Sequence, residues 1–245
     1  MEIQVGAAKA SKYASQESGD TLEVIERPHG GLSAVLVDGQ RSGRAAKIIS
    51  NIVARKTISL LGEGIRDGAV ARAAHDYLRT HRLGQVSAEL QVISVDLDSF
   101  TLVISRNSQC PVLVSTGGQL QPLDTPSQPI GIHVHTKPVI TELPLVPDTY
   151  VVAFTDGLRS AGERSGMALD VGHLVQQGAQ ERITAQQLSE VILERALEAD
   201  DHRPADDISI LVVAVLPDEV PDGVRRFSMH LLVPASQVRT LPESA

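Results

Sequence analysis

Residues 34–39 read AVLVDG and residues 151–157 read VVAFTDG. Each is a run of strand-forming residues that ends in Asp-Gly. A third run, ISILVV at residues 208–213, begins directly after the pair Asp206-Asp207. In an antiparallel sheet the end of one strand lies beside the start of its neighbour. If these three strands are neighbours, their acidic ends meet at one edge of a sheet.

The rest of the chain supplies further strand patterns in hairpin order, interrupted by helical blocks. The predicted strands are residues 3–7, 22–27, 32–37, 88–96, 100–106, 111–115, 119–123, 139–143, 149–155 and 207–216. Helices are predicted at residues 42–61, from Asp67 onward, at residues 169–177, and after the capping box that Thr184 and Gln187 form. Runs of strands with segregated helices indicate the α+β class. We expect two antiparallel sheets packed face to face, with helices outside.

Domain organisation follows from where these patterns stop. One domain is predicted over residues 1–216, followed by an extension at residues 217–245. The extension contains RRFSMHLLVP at residues 225–234, a strand pattern set apart by a Pro-containing segment. We expect this strand to close a sheet edge or to contact a partner, and a homodimer formed through it is our hypothesis.

Composition excludes several classes of function. The 245 residues carry a net charge of −8 and only 2% aromatic residues, with no Trp. Such a chain lacks the basic surface and the stacking side chains of nucleic-acid binding, so no nucleic-acid partner is expected. Neither a membrane span nor a signal-peptide pattern is visible. Cys110 is the single cysteine, which fits a reducing compartment, and we expect a cytoplasmic protein without a membrane partner.

Acidic residues at strand ends point to metal chemistry. Asp38 and Asp156 end two strands, Asp206 precedes a third, and Asp20 precedes an earlier one. Clustered carboxylates repel one another unless a cation compensates, and their hard oxygen atoms favour Mg²⁺ or Mn²⁺. Two such ions about 3.5–4 Å apart polarise a phosphoryl group and activate a water as the nucleophile. The competing interpretation is that each Asp-Gly is simply a turn.

Seven segments in order carry a resemblance to a known family. They are residues 18–21 (SGDT), 35–39 (VLVDG), 43–46 (GRAA), 107–111 (NSQCP), 129–132 (PIGI), 154–158 (FTDGL) and 205–213 (ADDISILVV). The set resembles the metal-dependent type 2C serine/threonine phosphatases, in particular the bacterial branch of sporulation stage II E and stress-response sigma-regulator phosphatases. The resemblance spans residues 2–216.

This resemblance implies a fold and an activity. The fold is a four-layer αββα sandwich of two antiparallel sheets flanked by helices. The activity is hydrolysis of phosphoserine or phosphothreonine by an activated water, without a phospho-enzyme, using two or more Mn²⁺ or Mg²⁺ ions. The usual substrates of this branch are phosphorylated anti-sigma antagonists or stress scaffold proteins, so a phosphorylated bacterial signalling protein is the expected partner.

The resemblance also assigns roles to residues of this chain. Asp38 bridges both metals, and Gly39 contributes its carbonyl oxygen. Asp156 and Asp206 complete one metal site, and Asp20 supports the second ion through water. The catalytic residues Asp38, Asp156 and Asp206 therefore act through the metals.

Asp207 stands beside a ligand and is expected to support the site without binding metal. The chain also departs from the family pattern at two places. Gln40-Arg-Ser-Gly43 replaces the usual Gly-His-Gly, and Leu158-Arg-Ser160 stands where an acidic residue is usual. These departures motivate an alternative, a catalytically weak pseudophosphatase that binds a phosphoprotein. A two-metal nuclease is a further rival, which the low basicity of the chain disfavours.

Phosphate binding would benefit from an arginine near the metals. Arg41, Arg44 and Arg159 follow the Asp motifs and are candidates, although each has the competing interpretation of a solvated surface charge. His133 and His135 have strand spacing, which places both rings on one face. Without a third ligand nearby, two partly exposed histidines are favoured over a metal site.

Overall fold

The computed structural model of the protein describes residues 1–15, 17–28 and 30–217, together with residues 226 and 229. The strands are β1 Glu2–Ala10, β2 Thr21–Glu26, β3 Leu32–Gly39, β4 Ala88–Asp96, β5 Thr101–Asn107, β6 Val112–Thr116, β7 Gln119–Leu123, β8 Val139–Pro144, β9 Thr149–Phe154 and β10 Ile208–Leu216. The helices are α1 Gly43–Gly62, α2 Asp67–His81, α3 Asp156–Arg159, α4 Val171–Glu181 and α5 Ala185–Ala199. Every strand predicted within residues 1–216 is present. The pattern at residues 225–234 lies outside the described residues, apart from 226 and 229.

These strands form two five-stranded antiparallel sheets. The first has the order β1-β10-β9-β6-β7 and the second has the order β2-β3-β4-β5-β8. Helices α1 and α2 pack on the outer face of the second sheet, whereas α4 and α5 pack on the outer face of the first. The α+β class and the four-layer arrangement are confirmed.

Burial on both faces explains the unbroken apolar runs. Successive side chains of a strand point to opposite faces. Along β3, Val35 and Val37 pack against the residues of α1 and α2, whereas Ala34 and Leu36 pack between the two sheets. The residues of β10 divide in the same way between its helix layer and the inter-sheet layer. A strand in such a sandwich is therefore apolar at most positions on both faces, not on one face alone.

Local signals set the helix ends. The predicted capping box is present at α5, where the Thr184 hydroxyl accepts from the Gln187 N–H at 3.2 Å and the Gln187 side chain accepts from the Thr184 N–H at 3.0 Å. The single turn α3 is too short to show an apolar period and was not predicted. Among the described residues, no helix is long and apolar enough to cross a membrane.

Candidate active site

The register of the second sheet places three carboxylates in one row. Asp38, near the end of β3, is paired with Glu89 at the start of β4. On the other side of β3, Thr21 is paired with Val37, so Asp20 stands beside Asp38. Like charges at directly opposite positions destabilise a sheet. This row therefore needs a compensating positive charge.

The first sheet supplies two further carboxylates. Phe154 of β9 is paired with Ile210 of β10, which brings the end of one strand beside the start of the other. Asp156 follows β9 as the first residue of α3, and Asp206 lies just before β10. The condition that all three Asp-bearing strands be neighbours in one sheet is not met, because β3 belongs to the other sheet. The carboxylates meet across the gap between the sheets instead.

All these side chains line one cavity of about 360 Å³. Its acidic lining residues are Asp20, Asp38, Glu89, Asp156, Asp206 and Asp207. The other walls are Lys12, residues 39–42, residues 87–88 and Pro129. Among the described residues that line the cavity, only Lys12 and Arg41 carry a positive side chain. The cavity is therefore strongly acidic.

Burial and mutual repulsion raise the pKa values of these carboxyl groups. Burial, together with the charges of Asp20, Asp156, Glu89 and Asp206, raises the pKa of Asp38 to about 9. Burial likewise raises the pKa of Asp20 to about 6. The pKa of Asp156 is also raised, by burial and by Asp206. Such a group of carboxylates favours a divalent cation as its neutralising partner.

The oxygen atoms that line the cavity suit Mg²⁺ or Mn²⁺ by their chemical type, although they are not already arranged around one ion. Within the described parts of the chain, no three His, Cys, Asp or Glu side chains stand close enough together to hold one ion. The carboxylates instead surround a cavity of about 360 Å³. Mg²⁺ takes hard oxygen ligands and keeps several waters, so a roomy acidic cavity suits it.

Asp20 links the two sheets. It precedes β2 of the second sheet, yet its carboxylate accepts from the Ser209 hydroxyl at 2.6 Å and from the Thr155 hydroxyl at 3.1 Å, both in or beside strands of the first. Lys9 and Lys47 donate to its backbone carbonyl at 2.8 and 2.6 Å. With 1% of its surface exposed, Asp20 is fixed in place from both sheets.

Asp207 holds the backbone around the cavity. One of its carboxylate oxygens accepts from the Lys12 N–H at 2.9 Å and the other from the Gly19 N–H at 2.8 Å. Because both oxygens already bind backbone groups, Asp207 fixes the segment between β1 and β2. The hydrogen bond to the Lys12 N–H also keeps Lys12 at the cavity wall.

The glycines that follow Asp38 and Asp156 are required by close backbone contacts. A Cβ atom at Gly39 would lie 2.1 Å from the carbonyl oxygen of Ala46 in α1. A Cβ atom at Gly157 would lie 2.2 Å from the carbonyl oxygen of Asp207. The backbone after each aspartate therefore packs closely against the backbone of another segment, which fixes where the carboxylate lies.

The segment that replaces Gly-His-Gly has a structural role. The Gln40 N–H donates to the Ser87 carbonyl at 3.1 Å, and the Gln40 side chain accepts from the Ser87 N–H at 3.0 Å. These two hydrogen bonds connect the end of β3 to the segment before β4. Arg41 follows with a φ of 77°, a left-handed conformation that non-glycine residues adopt at a cost, and it lies on the cavity wall.

The other two predicted arginines lie off the cavity wall. Arg44 is exposed in the first turn of α1. It is about 200° around the helix from Ala46, the residue that contacts Gly39, so it points away from the site. Arg159 is exposed on α3, and its charge acts to lower the pKa of Asp156. It therefore lies near the acidic cluster without lining the cavity.

Sequence reasoning missed Glu89 and Lys12. Glu89 accepts hydrogen bonds from the Ser108 hydroxyl and from the Gln109 N–H, the latter at 3.1 Å. Its pairing with Asp38 depends on the register of β3 against β4, and the α1–α2 hairpin separates these strands in the sequence. Lys12 lies in a segment without regular structure, so no periodic signal marks it.

Three further residues named in the sequence analysis, His133, His135 and Cys110, lie outside the cavity wall. His133 and His135 are exposed in the loop before β8. Cys110 is buried, and burial raises the pKa of its thiol to about 12. A thiol with this pKa is not a nucleophile at neutral pH, because the thiolate is the reactive form.

A comparison with family models identifies the chain. The model of stage II sporulation protein E (SpoIIE) matches residues 28–216, more than half of the sequence. The chain belongs to the SpoIIE family. The predicted family, that of the PP2C-type serine/threonine phosphatases, is therefore confirmed. A comparison with curated proteins finds no match.

Solved structures with the same fold agree with this assignment. The PP2C phosphatase domain with a fragment of the regulatory domain of SpoIIE from Bacillus subtilis has a TM-score of 0.75 and 18% identity, covering 88% of this chain and 64% of that chain. The RsbU and RsbW domains of a Mycobacterium tuberculosis protein have a TM-score of 0.73 and 17% identity, covering 89% and 61%. RsbX in complex with magnesium has a TM-score of 0.68 and 12% identity, covering 86% and 94%. This SpoIIE-family chain thus spans less than two thirds of the first two chains.

Proposed function

We propose that this SpoIIE-family protein is a metal-dependent phosphatase that hydrolyses phosphoserine or phosphothreonine on a bacterial signalling protein. One observation carries the proposal: both sheets deliver carboxylates to a single cavity. A phosphoryl group carries negative charge that these carboxylates would repel, so the cavity can accept it only with cations present. Membership of a phosphatase family and a neighbour solved with magnesium support the same choice.

The residues that would hold Mg²⁺ or Mn²⁺ are Asp38, the Gly39 carbonyl, Asp156 and Asp206, with Asp20 acting through water. The chemistry that such ions supply when bound is neutralisation of the phosphoryl charge and activation of the attacking water. The hydrogen bonds from Ser209 and Thr155 keep the Asp20 carboxylate in position before any ion arrives.

Other residues of the chain would bind the substrate. Arg41 and Lys12 lie on the cavity wall, where their positive side chains can pair with phosphate oxygens. Arg41 has the advantage of a planar guanidinium that matches phosphate geometry. The double hydrogen bond of Gln40 with Ser87 positions the segment that presents Arg41.

The test is hydrolysis of p-nitrophenyl phosphate with Mn²⁺, with Mg²⁺ and with EDTA. We expect Mn²⁺- or Mg²⁺-dependent turnover in the unchanged protein and none in EDTA. Asp38→Asn and Asp156→Asn should abolish turnover. The matched control is Asp98→Asn, an exposed aspartate in the turn after β4, which should retain full activity. An unchanged protein that is inert with both metals contradicts the proposal.

A pseudophosphatase is the second candidate function, because Gln40-Arg-Ser-Gly43 departs from the family pattern. In that case a phosphopeptide binds, but the phosphate is not released. Fluorescence anisotropy with a labelled phosphoserine peptide separates the two functions, since binding without turnover supports the pseudophosphatase.

A homodimer formed through residues 225–234 remains a proposal from the sequence. Truncation after Leu216 tests it by light scattering. The full chain should have twice the mass of its polypeptide and the truncated chain should be monomeric. An oligomeric mass that the truncation does not change contradicts this interface.

A further inference from the structure

Three large apolar side chains are exposed in two segments, the turn after α2 and the loop before β8. Leu83, in the turn after α2, is 83% exposed. Val134 and Ile132, in the loop before β8, are 62% and 40% exposed. Contiguous exposed apolar surface commonly marks an interaction site, whereas isolated side chains do not. These residues therefore indicate an interaction site only if the turn and the loop lie side by side.

The two segments contact each other. The Arg79 side chain, in the last turn of α2, donates from Nε to the carbonyl of Ile132 at 3.4 Å. A Cβ atom built at Gly84 would lie 3.8 Å from the same carbonyl. Beneath them, the Gly131 N–H donates to Nδ1 of the buried His75 at 3.0 Å. We call the surface formed by Leu83, Ile132 and Val134 the rim patch.

The rim patch borders the acidic cavity. Pro129 lines the cavity, and the next residue, Ile130, exchanges two backbone hydrogen bonds with Ala88, another lining residue, at 2.9 and 3.1 Å. Ile132 follows Pro129 by three residues, so its Cα lies at most about 11 Å away. A protein whose phosphoryl group enters the cavity therefore reaches the rim patch with the residues that flank the phosphate.

Leu83 has an unfavourable backbone conformation and an exposed apolar side chain. Its φ is 53°, a left-handed conformation that is strained for a leucine. Its side chain is 83% exposed, so the fold gains little burial from it. Strained residues of this kind cluster at functional sites.

Basic residues flank the rim-patch residues along the sequence of an otherwise acidic protein. Residues 77–87 and 129–138 contain no Asp or Glu, although the whole chain has a net charge of −8. The same two segments contain two arginines, one lysine and three histidines: Arg79, Arg82, Lys137, His81, His133 and His135. The acid nearest in sequence is Asp76, one turn before Arg79 on α2. This surface therefore complements an acidic and apolar partner.

We propose that the rim patch binds the residues flanking the phosphorylated serine or threonine of the substrate, and that it selects a flank that is acidic and apolar. This inference rests on the proposed function, because it takes the phosphoryl group to enter the acidic cavity. Apolar side chains of the flank pack on Leu83, Ile132 and Val134. Acidic side chains of the flank pair with Arg79 and its basic neighbours.

Two synthetic phosphoserine peptides test the selection. Both share the phosphoserine and its adjacent residues. The flank of the acidic–apolar peptide consists of Leu, Asp and Glu, and the flank of the control peptide consists of Ser and Lys. Fluorescence anisotropy measures binding, and phosphate release measures kcat/KM. We expect the acidic–apolar peptide to bind about tenfold more tightly, which corresponds to about 1.4 kcal/mol.

Variants locate the effect. Leu83→Asp combined with Val134→Asp should remove the preference between the peptides, with p-nitrophenyl phosphate hydrolysis unchanged within about twofold. The matched control is Phe100→Asp, since Phe100 is 59% exposed with a φ of 52° and lies beyond the other end of β4. This control should keep the preference.

The possible failures are distinguishable. Equal binding of both peptides, or a preference that the double variant keeps, overturns the rim-patch inference and leaves the phosphatase proposal standing. No release of phosphate from any substrate overturns the phosphatase proposal. The anisotropy measurement then still decides whether the rim patch selects an acidic and apolar flank.

Discussion

Asp38→Asn should make the metal-free protein more stable while abolishing its activity. Asp38 is surrounded by Asp20, Asp156, Glu89 and Asp206, and burial together with these charges raises its pKa to about 9. A folded-state pKa above the unfolded value disfavours the folded state wherever the group is ionised in the unfolded chain. The penalty is absent below about pH 4 and grows as the pH rises towards 9.

The size of the effect follows from the shift. One pKa unit corresponds to about 1.4 kcal/mol, and an unfolded aspartate has a pKa of about 3.9. At pH 7 roughly three units lie between that value and the pH, which sets an upper limit of about 4 kcal/mol. Asp38 is half-buried and lines the cavity, where solvent screens part of the repulsion. We therefore expect Asp38→Asn to raise the free energy of unfolding at pH 7 by about 2 kcal/mol.

Urea unfolding in EDTA at pH 5, 6, 7 and 8 measures this directly. The gap between Asp38→Asn and the unchanged protein should widen as the pH rises. Asp98→Asn, which is exposed, should change the free energy of unfolding by less than about 0.5 kcal/mol at every pH. A metal-free Asp38→Asn protein that is less stable than the unchanged protein, or a gap that does not depend on pH, refutes the reasoning.

Three further predictions concern residues around the cavity. Gly39→Ala places a methyl group 2.1 Å from the backbone of α1, so thermal unfolding should show a loss of about 3 kcal/mol, and an unchanged Tm would contradict this contact. Ser209→Ala removes the 2.6 Å hydrogen bond to Asp20, and the Mn²⁺ concentration for half-maximal activity should rise about tenfold; an unchanged metal requirement would count against that positioning role. Arg41→Ala should raise KM for p-nitrophenyl phosphate about tenfold, whereas Arg44→Ala should leave it unchanged, and equal effects would refute the assignment of Arg41 to the cavity wall.

The elements of the fold could be predicted from the sequence because the sandwich buries its strands on both faces. Continuous apolar runs such as residues 34–37 and 210–215 mark strands wherever the chain lies between two layers. The capping box at Thr184 marks a helix start by local hydrogen bonding. The short helix α3 has neither signal, and its Gly157 packs closely against the backbone of Asp207, a contact that the sequence does not reveal.

The site was only partly predictable, because its geometry depends on strand register. The Asp-Gly pairs at strand ends indicated Asp38 and Asp156, but the sequence does not reveal that the two strands belong to different sheets. Glu89 joins the acidic row only through its pairing with Asp38. Arg44 was expected near the phosphate, and the direction of α1 turns it outward.

The most direct test of the account is a crystal soaked in MnCl₂ and measured at the manganese absorption edge. We predict anomalous peaks inside the cavity, within about 2.5 Å of carboxylate oxygens of Asp38, Asp156 and Asp206, and their loss in Asp38→Asn crystals. Manganese bound only elsewhere on the molecule, with none among these three aspartates, would contradict the account.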